Sequence, residues 1–190
     1  MYVRAFLFRL ALSAVFVLAA VGFGATARAR PRGDALRLAP MPLRAVAPSY
    51  LDLGVGVYDI IGNAHRNETI ALDLEYRYGR KLFHLGPAIG LLANTKGGVL
   101  GYAGAYTDLQ YEQFNLTPLL AVAGYARRGG EDLGGPFQFR ARLELSYTIL
   151  PHFTRVGIEV AHVGNAGIER RNPGDNEILL SYAVPLPRPF

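Results

Sequence analysis

Apolar and polar residues alternate without exception between residues 137 and 149. The apolar positions are Phe137, Phe139, Ala141, Leu143, Leu145, Tyr147 and Ile149. The polar positions are Gln138, Arg140, Arg142, Glu144, Ser146 and Thr148. A period of two places successive side chains on opposite faces of a β-strand, whereas a helix repeats every 3.6 residues. The segment therefore predicts a strand with one apolar face and one charged face.

Seven further segments have the length of a strand, and several share this alternation. We predict these strands at residues 51–61, 68–79, 85–94, 98–110, 116–126, 153–164 and 176–186. The total of eight is even, as it is in bacterial outer-membrane barrels. Closing the sheet also removes the unpaired edges that lipid cannot hydrogen-bond. The sequence thus predicts an all-β fold, an eight-stranded antiparallel transmembrane β-barrel of the outer-membrane type.

The connections between the predicted strands alternate in length. Short turns at residues 79–84, 113–115 and 150–152 are expected on the periplasmic side, together with both termini. Longer loops are expected on the outer side at residues 62–67, 95–97, 127–136 and 165–175. This asymmetry is typical of outer-membrane barrels. Pro87 and Pro118 each lack a backbone donor, so we expect them at strand ends or bulges.

Charges of both signs recur on the inward faces of two predicted strands. These residues are Asp73, Glu75, Arg77, Arg140, Arg142 and Glu144. Eight strands leave little lumen. We therefore expect the charges to form a salt-bridged filling and not the wall of a pore.

The first 29 residues have the organisation of a secretory signal peptide. Arg4 and Arg9 give a positive start, an apolar stretch follows over residues 10–23, and Ala27-Arg28-Ala29 is a small-x-small cleavage site. An uncleaved anchor is the alternative, but the apolar stretch is short for a span of about 20 residues. We assign residues 1–29 to a signal peptide, 30–50 to an N-terminal linker and 51–190 to the barrel. This export signal predicts the outer membrane of a Gram-negative-type envelope.

Charge and composition limit the partners and cofactors. The full chain carries a net charge of +5, and cleavage removes three arginines and no acid, which lowers it to +2. A nucleic-acid partner is not expected at this charge. The chain has no cysteine and so does not depend on disulfides in the envelope. His65, His84 and His152 lie in separate turns without metal-ligand spacing, and neither a metal nor a cofactor is expected.

The strongest candidate site lies between residues 155 and 182. Strand parity points His162 outward, in line with Val156, Ile158 and Val160. A histidine on the lipid face costs free energy unless it has partners. Parity leaves two interpretations open: a member of the interfacial girdle, or a functional group.

Several stretches of this sequence resemble the lipid A 3-O-deacylases, also called outer-membrane acyloxyacyl hydrolases. They are Gly54–Asp59, Leu74–Arg77, residues 130–140, Thr154-Arg155-Val-Gly-Ile, His162-x-x-Asn165-Ala166 and Asn172-Pro-Gly174. The resemblance covers most of the mature chain and implies an eight-stranded outer-membrane barrel. It implies cleavage of an ester-linked acyl chain from lipid A, so lipopolysaccharide is the expected partner. In the family a serine attacks, a histidine takes its proton and a glutamate orients the histidine, because an unassisted serine is a weak nucleophile.

The match to this triad is incomplete. The family's histidine corresponds to His162, but its serine position is Gly164 and its glutamate position is Asn176. Glu177 lies one position further and faces inward by parity, unless a β-bulge turns it outward. The positions of the family's oxyanion donors correspond to Asn165, Gly167 and Asn172.

Four arginines are expected in the outer loops, at Arg127, Arg128, Arg170 and Arg171. They fit lipopolysaccharide phosphates, and solvated loop charge is the equal alternative. Three functions compete: a lipid A deacylase with an altered triad, a catalytically degenerate barrel that binds lipopolysaccharide or stabilises the membrane, and an unrelated structural barrel. The resemblance disfavours the third. The missing hydroxyl predicts that ester hydrolysis is weak or absent.

Overall fold

The structure, a computed structural model, describes residues 48–60 and 68–187. The strands are β1 (Ser49–Tyr58), β2 (Thr69–Arg77), β3 (Gly86–Asn94), β4 (Val99–Tyr106), β5 (Leu109–Tyr111), β6 (Phe114–Ala126), β7 (Phe137–Ile149), β8 (Thr154–Gly164) and β9 (Asp175–Leu186). Each pairs antiparallel with its neighbours. β1 pairs with β2 and β9, and β4 pairs with β6, so the sheet closes on itself. The predicted eight-stranded barrel is confirmed, with the short β5 continuing the line of β4 beside β6.

Several predictions fall outside the described residues. These are the signal peptide, the linker up to residue 47, the first outer loop with His65, and the last three residues. In the two described ranges, no helix has the length and hydropathy to cross a membrane.

The two ends of the barrel differ in their connections. The turn end carries the start of β1, the end of β9 and the connections 78–85, 112–113 and 150–153. The loop end carries the connections 95–98, 127–136 and 165–174. The loop-end connections 127–136 and 165–174 are longer than the turns, as predicted, but the turn-end connection 78–85 is longer than the loop-end connection 95–98, so the prediction is wrong for this pair.

Strand bounds agree most closely where the alternation is strictest. β7 has the predicted bounds, whereas β1 begins at Ser49 and not at residue 51, and ends at Tyr58 and not at residue 61. The Ser49 hydroxyl accepts a hydrogen bond from the Gly79 N–H at 3.0 Å, which ties this residue to the barrel. Beyond Tyr58, Asp59 has a φ of 64° and its N–H donates to the Asn176 carbonyl at 2.9 Å. This turn ends the strand.

The prediction of one continuous strand over 98–110 is wrong at Thr107 and Asp108, which separate β4 from β5. Pro118 faces this break from within β6, and not from a strand end as expected. Its carbonyl accepts the Thr107 N–H at 3.2 Å. A residue in a strand directs its N–H and its C=O to the same neighbour. The donor that Pro118 lacks is therefore missing at a place where the neighbouring strand is already interrupted.

Asp108 turns into the barrel at this break and closes its turn end. It accepts hydrogen bonds from Lys81 Nζ and Thr117 Oγ1, both at 2.8 Å, and from Arg155 Nη1 at 3.0 Å. Asp108 is buried, and the ion pairs with Arg155 and Lys81 compensate its charge. The contacts of Asp108 with Lys81, Thr117 and Arg155 thus stabilise the break between β4 and β5.

The outward and inward faces of the strands are those that parity predicts. On β7 the aromatic and aliphatic residues Phe137, Phe139, Leu145 and Tyr147 are exposed. The residues between them, Gln138, Arg140, Arg142 and Glu144, are buried. On β8 and β9, Ile158 and Leu180 are exposed while Glu159 and Leu179 are buried. An apolar outer surface encloses a charged interior.

Ion pairs fill the interior, as predicted. Arg77 donates to Asp52 and Glu144, and to Glu75 Oε1 at 2.6 Å. Among the described residues, Asp52, Glu144 and Glu159 form a group of carboxylates whose ligand atoms lie within 4.8 Å of one another. The Arg77 guanidinium forms ion pairs with all three, with Glu159 Oε1 at 3.7 Å, so the protein itself supplies a cation at this group.

A second layer of pairs lies beside the first. Arg140 binds Asp73 Oδ2 and Glu177 Oε2, each at 2.7 Å, and Arg142 binds Glu159 Oε1 at 3.3 Å. The three guanidiniums are at most 2% exposed. A buried charge is tolerated when it is paired in this way.

Because the outward face of β7 is apolar, we predict that a charge at the middle of this face destabilises the barrel. Leu143→Arg places a charge on the outward face at mid-strand, where we expect a loss of roughly 2–4 kcal/mol in folding free energy. Ile149→Arg is the matched control, because it lies on the same face at the turn end, where the cost falls to about 0–1 kcal/mol. Unfolding in lipid vesicles by denaturant measures both. Equal costs at the two depths would contradict the assignment of the membrane face.

Candidate functional site

His162 lies near the loop end of β8 and is directly paired with Asn176 on β9. Its Nδ1 is 3.1 Å from Asn176 Oδ1. An amide oxygen can only accept, so in this contact the His162 ring carries its proton on Nδ1. The imidazole is therefore held in the tautomer that a general base needs at Nε2.

Gly164 lies beside that nitrogen. A Cβ added at Gly164 would be 3.1 Å from His162 Nε2 and 3.3 Å from Asn172 Oδ1. A side chain at this position would start next to the base. The structure thus brings together the histidine position, the serine position and, through Asn176, the glutamate position that the sequence assigns to the triad.

Glu177 faces the barrel interior, on the opposite face of the sheet from His162. The β8–β9 register runs without a break from Arg155↔Ala183 to Val163↔Asp175, and it pairs Glu177 with the inward-facing Ala161. The Glu177 carboxylate is 1% exposed and accepts from Arg140 Nη2 at 2.7 Å. The alternative in which a bulge turns Glu177 toward His162 therefore does not occur here.

The three residues expected as oxyanion donors or supports form one hydrogen-bonded loop. Asn172 Oδ1 accepts the Asn165 N–H at 3.0 Å, and Asn165 Oδ1 accepts the Gly167 N–H at 2.9 Å. Both backbone donors are therefore engaged within the loop. Asn172 is exposed and anchored through its oxygen, so its NH2 group is the donor available to a ligand.

Asn165 joins the two long loops at the loop end. It is 0% exposed, and its Nδ2 donates to the Arg171 carbonyl at 2.7 Å and to the Leu133 carbonyl at 3.2 Å. Gly134, with a φ of 88°, permits this close approach, since a Cβ there would lie 1.9 Å from the Arg171 carbonyl oxygen. Asn165 thus supports the site through its neighbours.

Two of the four loop arginines lie together and the other two lie apart. Arg127 and Arg171 converge on Asp132, at 3.5 and 3.0 Å from its Oδ2, and are 59% and 65% exposed. A cavity of about 280 Å³ beside them is lined partly by Arg127 and Asp132. Arg128 and Arg170 are exposed in their own loops. The structure therefore brings two of the four expected cations together.

Two groups that shape the candidate site were not predicted from the sequence. Gly174 has a φ of 67°, and a Cβ there would meet His162 Cε1 at 2.7 Å, so glycine makes room for the ring. The Asn-Pro-Gly motif marks this residue without revealing the contact. The Leu133 carbonyl, which receives Asn165, carries no signal in the sequence, because any residue supplies a carbonyl.

Comparison with known proteins gives one family match. The sequence model of the family described as lipid A 3-O-deacylase (PagL) matches residues 64–185. A search of curated protein sequences gave no match.

The fold is similar to solved structures at low sequence identity. The outer membrane enzyme PagL has a TM-score of 0.55 and 18% identity, with 72% of this chain and 99% of that chain covered. A de novo designed transmembrane β-barrel has a TM-score of 0.53 and 10% identity, with 75% and 98% covered. Neisserial surface protein A (NspA) has a TM-score of 0.52 and 12% identity, with 75% and 100% covered. These similarities support the barrel fold.

Proposed function

Because the chain belongs to the lipid A 3-O-deacylase family, we propose that it binds lipid A in the outer leaflet and hydrolyses an ester-linked acyl chain slowly. One observation carries the proposal. His162 is held by Asn176 at Nδ1, and its Nε2 lies 3.1 Å from the Cβ position of Gly164. A base is oriented for ester chemistry at a place where the serine hydroxyl is missing.

The glycine at the family's serine position and the asparagine at its glutamate position explain why the proposed hydrolysis is slow. Without a hydroxyl at Gly164, His162 has no tethered nucleophile to deprotonate. Asn176 fixes the ring through a neutral oxygen, which stabilises the imidazolium formed in the reaction less than a carboxylate does. Orientation of the base is retained, whereas the nucleophile and the carboxylate of the triad are lost, and members of a triad act as a unit.

The remaining groups are suited to the substrate. The Asn172 NH2 group is the proposed donor to the ester oxygen as negative charge develops there. Gly167 and Asn165 act as supports of this loop. The cluster of Arg127 and Arg171, together with Arg128 and Arg170, provides exposed guanidiniums for the phosphates of lipid A.

A catalytically degenerate barrel that binds lipopolysaccharide or stabilises the membrane is the second candidate. The absence of a hydroxyl at Gly164 favours it. In this alternative the arginines still bind phosphates, and His162 has no chemical role.

The export route is part of the proposal. Residues 1–29 act as a signal peptide removed after Ala29, and residues 30–48 form a linker before β1. The turn end then faces the periplasm and the loop end faces outward.

Mass spectrometry of lipid A from cells with and without the expressed protein tests the function. We expect a small His162-dependent fraction that has lost one acyl chain, and no such fraction with His162→Ala. Both proteins should bind lipopolysaccharide equally, because the arginines are unchanged. Efficient deacylation that survives His162→Ala would show that the site is assigned to the wrong residues. Binding without any deacylation would favour the second candidate.

A further inference from the structure

Two arginines from different loops share one oxygen atom at the loop end. Arg127 Nη1 lies 3.5 Å and Arg171 Nη1 lies 3.0 Å from Asp132 Oδ2. Arg127 Nε also donates to the Gly130 carbonyl at 3.2 Å. The Gly134 N–H donates to Asp132 Oδ1 at 3.1 Å and holds the carboxylate. Both guanidiniums are therefore oriented before a ligand arrives.

This pair of arginines has donors left for a ligand. An arginine has five N–H donors, and the contacts above use two nitrogens of Arg127 and one of Arg171. The adjoining cavity of about 280 Å³ has room for a group several times the volume of a water molecule. Guanidiniums bind phosphate through paired N–H groups. The remaining donors and the cavity therefore fit a phosphate group.

Net charge alone does not make this a phosphate site. Residues 127–136 and 165–174 carry four arginines against Glu131, Asp132 and Glu169, a net charge of +1. Long-range attraction is weak at this charge, so the geometry of contact decides. Among the described residues, ion pairs with Asp132 at the loop end come from Arg127 and Arg171, and not from Arg128 or Arg170.

Arg171 connects this pair to the candidate site around His162. It directly precedes Asn172, the proposed donor to the ester oxygen. The Arg171 carbonyl accepts Asn165 Nδ2 at 2.7 Å, and Asn172 Oδ1 accepts the Asn165 N–H at 3.0 Å. A ligand that holds Arg171 therefore restrains the backbone that carries Asn172.

We propose that Arg127 and Arg171 clamp one phosphate group of the lipid substrate, and that this contact holds Asn172 at the ester. The proposal rests on the proposed lipid A deacylation and assigns its main phosphate contact to two of the four loop arginines. The phosphate oxygens accept the N–H groups that are not used on Asp132, so the carboxylate continues to orient the pair. The bound phosphate adds a link between the two loops. The clamp thus selects substrates in which a phosphate lies near the ester that is cleaved.

Binding of the full protein to lipid vesicles tests the clamp, with His162→Ala as the background that prevents turnover. The vesicles contain phosphorylated lipid A or the same lipid after enzymatic removal of its phosphates. We expect about 10-fold tighter binding of the phosphorylated form, as charge-assisted hydrogen bonds provide. Arg127→Gln and Arg171→Gln should each remove most of this preference. The electrophoretic shift of the folded barrel shows that each variant is folded.

Three other arginines provide matched controls that remove the same charge. Arg128→Gln and Arg170→Gln act in the same loops and should each cost about 2-fold or less, the usual effect of an exposed charge. Arg80→Gln is exposed at the turn end and should keep the full preference. Equal losses in all four loop variants would show attraction by charge alone and would overturn the clamp.

Hydrolysis at saturating lipid tests the hold on Asn172. Removal of the phosphates and Arg127→Gln should each lower kcat, and their effects should not add, because both break the same contact. Additive effects would overturn this step. Inorganic phosphate should compete with the phosphorylated lipid only at millimolar concentration, since it lacks the acyl chains. Tight binding of inorganic phosphate with equal binding of the two lipids would identify free phosphate as the ligand and overturn the assignment to the substrate.

The outcomes separate this inference from the proposed function. Lipid A binding and His162-dependent hydrolysis without any preference for the phosphorylated lipid would leave the function standing and remove the clamp. Preferential binding without hydrolysis would refute deacylation, and with it the role of Asn172, while the clamp would stand. Absence of lipid A binding by the wild type would remove both.

Discussion

Gly164→Ser combined with Asn176→Glu is expected to raise lipid A deacylation by at least about 10²-fold over the wild type. The serine Cβ would lie 3.1 Å from His162 Nε2, so its hydroxyl is within reach of the base. The glutamate replaces the amide that already contacts Nδ1, and its charge stabilises the imidazolium. Gly164 does not have a left-handed φ, so serine fits the backbone once the His162 ring and the Asn172 amide shift by a few tenths of an ångström. Initial rates on lipopolysaccharide vesicles measure the gain.

The single variants and a triple variant are the controls for this result. Members of a triad act as a unit, so each single change should give less than the double change. Adding His162→Ala to the double variant should remove the gain. A phosphonate that reacts with activated serines should label the double variant and not the wild type. A folded double variant that remains unlabelled and no faster than the wild type would contradict the placement of the triad.

Strict alternation explains why the barrel could be predicted from the sequence. β7 was located to the residue because thirteen consecutive positions obey a period of two. β4 was not, because its break depends on Asp108 meeting Lys81 and Arg155, which are distant in the chain. Pro118 signalled a missing donor, but the sequence does not say which neighbour faces it.

The candidate site was likewise predicted only in part from the sequence. Parity placed Asn176 outward and Glu177 inward, and the register has both positions as expected. The pairing of the loops through Asn165 could not be predicted, since it joins Asn165 to a carbonyl 32 residues away and loops have no period. The proximity of Gly174 to the imidazole likewise follows from the fold and not from the motif.

Removing the central cation of the barrel interior is expected to destabilise the protein strongly. Arg77→Met should lower the free energy of unfolding by about 3–5 kcal/mol, the usual cost of breaking a buried pair. The reason is that Asp52, Glu75 and Glu144 all bind this guanidinium and are at most 2% exposed. Since the chain has no tryptophan, urea unfolding is best followed by circular dichroism or by the electrophoretic shift of the folded barrel.

Two comparisons separate charge from packing in this result. Arg128→Met removes the same side chain from an exposed loop position and should change stability by less than about 0.5 kcal/mol. Adding Asp52→Asn and Glu144→Gln to Arg77→Met should recover part of the loss, because neutral amides no longer leave buried charges unpaired. No recovery would mean that Arg77 acts by filling volume, and a cost below about 1 kcal/mol for Arg77→Met alone would mean that water reaches these carboxylates. Either result would contradict a dry, salt-bridged interior, because in such an interior unpaired charge is the main penalty.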